Sequence, residues 1–473
     1  MSLARTAVVV LGAGPAGLGT ALRLGRRDEY DVAVLERANV VGGNAGSFAL
    51  DGQRVDYGSH RLHPTCAPEI LDDIRTMLGG DLLDQRRHGR IRLQGRWVHF
   101  PLQPLDLLLH VPPAFALGIV RDLLPAAGRA SVSADTFAGV LERRLGTTIC
   151  QEFYFPYARK IWGLSPDEID AEQARRRVSA ASIAKMVRKV LRAVPGVGPR
   201  GGGRFYYPRL GFGQISEGYL EGAIAHGAKV ELGSTVTAIE CRPGGGATVS
   251  FEDAGGVRRV AADRVISTIP LTVLVRAIRP AAPDDVLAAA DSLRYRAMLL
   301  IYLVLETDRF SEYDAHYFPG ADVAITRLSE PKNYSRHGPE GSTVLCAELP
   351  CSQDDAHWRM SDEDLRDLVL AALARAGAPV VSAVRRVVSR RLTHAYPIYD
   401  RAFHAHLDSL DGWVRGLDGI LTVGRQGLFA HDNTHHTLAM AYAAVDCLRS
   451  DGSLDADRWA AARRSFEQHV VED

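Results

Sequence analysis

Apolar residues open the chain as an unbroken β-branched run, Ala7 to Leu11 (AVVVL), the pattern of a strand covered on both faces. Gly12, Gly14 and Gly17 follow at once in GxGxxG spacing, with Pro15 and Ala16 between them. Leu18 to Leu24 then shifts to helical apolar spacing, and Val32 to Leu35 returns to a strand that ends on Glu36. This order predicts a βαβ dinucleotide fold. The first glycine permits the tight turn, the second a close backbone approach to a pyrophosphate, and the third helix-on-strand packing. The phosphates meet the helix N-terminus, and Glu36 stands where an acid accepts hydrogen bonds from a ribose.

Farther along, the pattern predicts a glycine-punctuated turn at Tyr207 to Gly213 and a helix over Gln214 to His226. Short strands follow at Lys229 to Leu232, Thr235 to Cys241, Ala247 to Phe251 and Arg258 to Ala261, a meander or three-stranded insertion. Arg264 to Ile269 reads as a buried parallel strand returning to the main sheet. Ile420 to Val423 is a strand closing on Gly424, with an apolar helix from Thr437 to Leu448 behind it. Residues 61–204 look mostly helical; Met298 to Leu305 and Val323 to Arg327 are strand-like, Asp362 to Arg375 helical, and Val384 to Arg391 a further strand. The fold expected is therefore α/β: a discontinuous dinucleotide domain (1–60, 205–295 and 415–450), a mixed α+β substrate domain (61–204 and 296–414) interleaved with it, and a C-terminal helix in 451–473.

Composition adds limits. A chain of 473 residues exceeds one usual hydrophobic core, and 46% hydrophobic with 24% charged residues is an ordinary globular balance. Lys+Arg and Asp+Glu are both 56, which argues against a nucleic-acid partner. Basic residues do gather at Arg175, Arg176, Arg177, Lys185, Arg188, Lys189, Arg192, Arg200, Arg204 and Arg209. That stretch suits an anionic substrate, a lipid headgroup or a solvated helix face. Six cysteines without a CxxC pair, and no apolar leader ahead of the first strand, point to reduced thiols and a cytoplasmic setting. Leu102 to Leu124 is lipid-like but is interrupted by Asp106, His110, Pro112, Pro113, Arg121 and Asp122. A transmembrane span is excluded, leaving a peripheral membrane contact or an amphipathic helix pair.

After Glu36 the chain reads RANVVGGNAGSF, which resembles the ERxxxxGG signature of the flavin amine oxidase superfamily and implies FAD, with Arg37, Gly43 and Asn44 beside it. Four further blocks resemble the protoporphyrinogen oxidase and amine oxidase superfamily, in the branch close to UDP-galactopyranose mutase. They are VDYGSHRLH (Val55 to His63), FYFPYARKIWGLSPDEIDAEQARRRV (Phe153 to Val178), YPRLGFGQI (Tyr207 to Ile215) and VGRQGLFAHDNTHHTLAMAYAA (Val423 to Ala444). The resemblance implies a glutathione-reductase-type FAD domain beneath a substrate domain. By position it implies that Val236 meets adenine through its backbone, and that Gly424, Arg425, Asp432, Asn433 and Thr434 approach the flavin's pyrophosphate, ribityl chain or ring.

It also places Ser59, His60 and His63 beside the flavin, with His60 and His63 as candidate acid/base groups; a histidine satisfied by backbone is the alternative. Tyr157, Lys160 and Trp162 are implied to line the substrate pocket, the alternative being an aromatic core anchor under surface cations. Arg177 and Arg209 are candidates for gripping an anionic substrate, or plain surface arginines. Around His431, His435 and His436 no acid or cysteine has ligand spacing, so no metal site is expected.

Two enzymatic functions follow. The first is an FAD-dependent oxidoreductase (oxidase, dehydrogenase or desaturase) passing hydride from a small molecule, anionic or nucleotide-linked, to flavin N5 in glycan, nucleotide-sugar or specialised-metabolite biosynthesis. The alternative is a redox-neutral nucleotide-sugar mutase with reduced N5 as nucleophile. The tail Phe429-Ala430-His431-Asp432-Asn433 departs from that mutase's YYDMD-like ending, and YPRLGFGQI is nearer the oxidase pattern. Intact cofactor motifs argue against a non-enzymatic scaffold.

Overall fold

A computed structural model describes residues 5–103, 106, 109–123, 134–177 and 203–471. Lys185, Arg188, Lys189, Arg192 and Arg200 lie outside them, as do parts of the Leu102 to Leu124 stretch.

The AVVVL run forms the central strand, Thr6–Leu11, of a five-stranded parallel sheet. It pairs with Tyr30–Leu35 on one side and Arg264–Ser267 on the other, with Val10 opposite both Val34 and Ile266. Ile420–Thr422 and Lys229–Glu231 form the edges. A strand flanked on both sides and covered on both faces needs continuous apolar character, which its sequence supplies. On one face the helices Pro15–Gly25, Gln214–Ala225 and Thr434–Asp446 share a core containing Leu18, Leu22, Tyr219, Leu438 and Met440. Gly19 lets the first of these approach Leu438 closely: a Cβ there would fall 2.8 Å from the leucine Cδ2. Against the other face lie the meander Thr235–Cys241, Ala247–Asp253 and Gly256–Ala262, with a short fourth strand, Ile278–Arg279, added in parallel.

The remaining elements carry a seven-stranded sheet in the spatial order 384–397, 295–305, 343–351, 327–329, 315–317, 89–93 and 96–100. Its hairpin Gly89–Leu93/Arg96–Phe100 corrects the expectation of a mostly helical segment 61–204. Gln94 and Gly95 both take positive φ (48° and 78°), the geometry that matches the twist of paired strands in a two-residue turn. Val323 to Arg327 is also corrected: only Arg327–Ser329 is strand, and the preceding residues turn. Helix Ala456–Phe466 closes the chain. Among the described residues no helix is long and apolar enough to cross a membrane. Within the lipid-like stretch, helix Pro113–Leu123 leaves Leu117 and Val120 exposed. All six cysteines are free thiols.

Candidate flavin and substrate site

Three glycine turns converge where helix Pro15–Gly25 begins. Gly12 has φ +97° and donates its N–H to Leu35 O at 2.9 Å, carrying the pairing of the first two strands into the turn. A Cβ on Gly17 would fall 1.8 Å from Gly12 O, so only glycine lets the helix lie against that turn. Gly14 differs: a Cβ there would meet nothing closer than Gly42 O at 4.0 Å, which leaves its backbone facing open space. Gly43 (φ +51°) lies beside Gly14, and Gly424 (φ +82°) is so close to Ala16 that a Cβ would come within 2.6 Å of the alanine's. The helix has no side-chain N-cap and no acid in its first turn. Its free N–H groups and dipole are thus available to an anion.

Glu36 completes this edge. Its two carboxylate oxygens accept from Ala13 N–H (2.8 Å) and Ala38 N–H (2.9 Å), which fixes the acid and leaves lone pairs on each oxygen for a ribose. Its backbone oxygen accepts from Ser234 N–H at 2.7 Å, bringing the Val236 strand alongside. Arg37 is exposed, and the Asn44 amide donates to His394 O at 2.9 Å. Open backbone at Gly14, a bare helix end and an anchored acid fit the pyrophosphate and adenosine ribose of FAD.

A separate cavity is bordered by Ser59, His60, Tyr157, Arg177, Arg327, Glu348, Tyr396, Arg425, His431, Asp432 and Asn433. Arg327, partly buried, forms a bidentate pair with the buried Glu348 (Nε–Oε1 2.9 Å, Nη2–Oε2 2.8 Å). Glu348 Oε1 also accepts the Ser59 N–H at 2.8 Å, so one carboxylate fixes both the guanidinium and the His-bearing loop. Gly58, at φ +96°, makes the turn that permits this. On the opposite wall Arg425 donates to Ala395 O at 2.6 Å and lies 5.2 Å from the Tyr396 ring centre, with Arg177 5.3 Å from the same ring.

The titratable groups have distinct environments. His60 donates from Nε2 to Tyr57 O (3.0 Å), and burial lowers its pKa against the pull of Asp56. His431 donates from Nε2 to Pro397 O (2.7 Å); burial, then Arg177 and Arg425, hold it well below the usual histidine range. Both rings are therefore neutral with Nδ1 unprotonated. Burial opposes ionisation of Asp432, but the neighbouring His436 and His469 imidazoles overcome it and lower its pKa. Asn433 caps helix Thr434–Asp446, whose first residue is Thr434.

Four sequence expectations need correction. Lys160 does not reach the cavity: its ammonium donates to the carbonyls of Phe318, Gly320 and Ile325, clamping the turn that replaces the expected strand. Burial pulls its pKa down to about 7 against the pull of Asp322. Trp162 is 4% exposed and packs against Phe137 at 5.4 Å as a core anchor. His63 bonds Thr65 Oγ1 (2.7 Å) and faces His435, off the cavity. Arg209 pairs with Asp81 at the surface (3.2 Å). Conversely, Arg327, Glu348 and Tyr396 escaped the sequence reading. Glu348 left a usable signal, as the one acid in TVLCAELPC, a strand buried at every position.

The flavin containing amine oxidoreductase family matches residues 15–425. The chain belongs to this family. It is accordingly an FAD-dependent enzyme, as the resemblance implied. Among solved structures it is similar to a reduced UDP-galactopyranose mutase, with TM-score 0.80 and 20% identity over 99% of this chain and 100% of that one. A protein from Exiguobacterium sp. 255-15 provisionally named a protoporphyrinogen oxidase gives 0.72 and 17%, over 94% and 99%. An engineered putrescine oxidase gives 0.62 and 19%, over 93% and 98%. At such identities the likeness is one of fold, and it establishes the α/β FAD-binding architecture.

Proposed function

We propose that this family member is an oxidoreductase whose flavin takes hydride from an anionic small molecule bound in the arginine and tyrosine cavity, in glycan, nucleotide-sugar or specialised-metabolite biosynthesis. The observation that carries this reading is the cavity's charge. Arg177 and Arg425 share one wall around Tyr396, Glu348 is matched by Arg327, and against the one remaining carboxylate, Asp432, the lining keeps a guanidinium in excess. An amine cation would meet like charge there; a carboxylate or phosphate would find planar donors suited to paired oxygens.

Bound FAD supplies the hydride acceptor. Arg177, Arg425 and Tyr157 orient the anionic end of the substrate, and the Arg327–Glu348 pair holds Ser59 and His60 against the reacting end. As a C–H bonding pair leaves the substrate's carbinol carbon as hydride, the hydroxyl proton passes to His60 Nδ1, the nitrogen that the Tyr57 carbonyl leaves free. A second electron acceptor would be needed to complete the cycle.

A redox-neutral nucleotide-sugar mutase is the second reading. The fold likeness to reduced UDP-galactopyranose mutase and the same guanidinium pair, suited to a diphosphate, favour it. Anaerobic mixing of oxidised holoenzyme with nucleotide sugars and related phosphorylated or carboxylated alcohols separates the two. Bleaching of the oxidised flavin band with substrate oxidation supports the first. Turnover that requires prior dithionite reduction and transfers no net electrons replaces it with the second.

A further inference from the structure

Behind the cavity wall, the start of helix Thr434–Asp446 meets the residues that follow helix Ala456–Phe466. Asp432, 3% exposed, is approached there by two imidazoles from separate parts of the chain. Its Oδ1 lies 3.2 Å from His436 Nδ1 and 3.2 Å from His469 Nδ1, and the three donor atoms lie within 4.8 Å of one another. Its Oδ2 is buried without a hydrogen-bond partner. The imidazole rings stack at 4.3 Å, and Phe466 backs His469 at 5.6 Å, so both rings present the same nitrogen to the same carboxylate.

We propose that Asp432, His436 and His469 form a binding site for a divalent transition-metal ion of the zinc class. Zinc takes nitrogen and oxygen donors at ~2.0–2.2 Å, which sets tetrahedral neighbours about 3.3 Å apart. The two imidazole-to-carboxylate spacings meet that requirement with almost no movement. Side-chain exposures of 14% for His436 and 18% for His469 provide an entry path and room for water as the fourth ligand. The Asn433 N–H also reaches His436 Nδ1, at 3.3 Å; that nitrogen has one lone pair, and the metal takes it in place of this long contact. The spacing of Asp432 and His436 alone does not reveal the site, because the third ligand arrives only when the C-terminal segment folds back.

The site would tie that segment down. Two residues past His469, the Val471 N–H donates to Arg176 O at 2.8 Å and the residue borders the cavity. Metal binding here is independent of whether the flavin chemistry is redox or redox-neutral.

Chelator-treated FAD holoenzyme is to be titrated with Zn²⁺, bound metal being measured by equilibrium dialysis with elemental analysis and stability by thermal melting. Wild type and the exposed-site control His226→Ala are expected to bind one Zn²⁺ per chain and to gain melting temperature. His469→Ala, His469→Gln and His436→Ala should bind at least about tenfold more weakly. Should His436→Ala lose its flavin, His469→Gln, near the chain end, still decides. Absence of stoichiometric binding in wild type, or equal affinity in the His469 variants, overturns the proposal.

Discussion

The glycine turn at Gly12 to Gly17 and the cavity that Arg327 and Arg425 border both gather positive potential, by different physical means. At the turn, the attraction comes from backbone: free N–H groups at a helix start, exposed because side chains are missing. In the cavity it comes from guanidinium groups that had to be partly buried, and burial demanded a partner. Glu348 answers Arg327, and the Ala395 carbonyl answers Arg425. A backbone site is thus set by local conformation, and a side-chain site by compensation between distant strands. The two should fail differently.

The sharpest break is Gly17→Ala. With a Cβ directed at Gly12 O, the helix and turn cannot keep their contact. We expect flavin-free protein destabilised by about 4–5 kcal/mol, read from the flavin-to-protein absorbance ratio and denaturant unfolding. Retained flavin at wild-type stability would show that the turn relaxes and that the backbone account is wrong. Glu348→Ala attacks the other region: it leaves Arg327 partly buried and unpaired and frees the Ser59 N–H, for an expected loss of about 3–5 kcal/mol. The double variant Glu348→Leu/Arg327→Met should recover much of that stability without recovering turnover. If Glu348→Ala alone is neutral in unfolding, the pair is not the strut of this wall.

The same contrast explains what was legible in the sequence. From Ala7 to Glu36, strand, glycines, helix and acid contact one another within a short stretch, so their order revealed both the fold and the cofactor edge. The cavity draws Ser59, Tyr157, Arg177, Glu348, Tyr396 and Arg425 from segments far apart in the sequence, only two of which, those of Glu348 and Tyr396, are strands of the seven-stranded sheet. Local spacing gave no means of telling Tyr157, which borders the cavity, from Lys160 three positions on, which a turn captures. On helix Phe155–Trp162 those two side chains serve different neighbours. Gly89 to Phe100 was hidden for a related reason: its turn, Gln-Gly, lacks the usual Asn-Gly or Asp-Gly signature.

Arg177→Met and Lys160→Met test that divergence directly. The first should raise KM for an anionic substrate by ~10- to 100-fold, the effect of losing a charge-assisted hydrogen bond, with flavin content intact. The second should leave KM unchanged and reduce stability by about 1–3 kcal/mol, because three carbonyls lose their donor. A KM effect from Lys160→Met with no loss of stability would return that lysine to the substrate site.

Arg209→Ala should have the smallest effect, and its value lies in that smallness. Its side chain and that of Asp81 are 42% and 39% exposed, so water already screens the pair. Pairs of this kind contribute roughly 0–1 kcal/mol, and this one stands off the cavity that Arg177 and Arg425 border. Unfolding within about 0.5 kcal/mol of wild type and an unchanged KM are expected. A rise in KM comparable to that of Arg177→Met would mean that the anionic substrate extends to the surface beside Asp81, and that the cavity is only the inner part of its site.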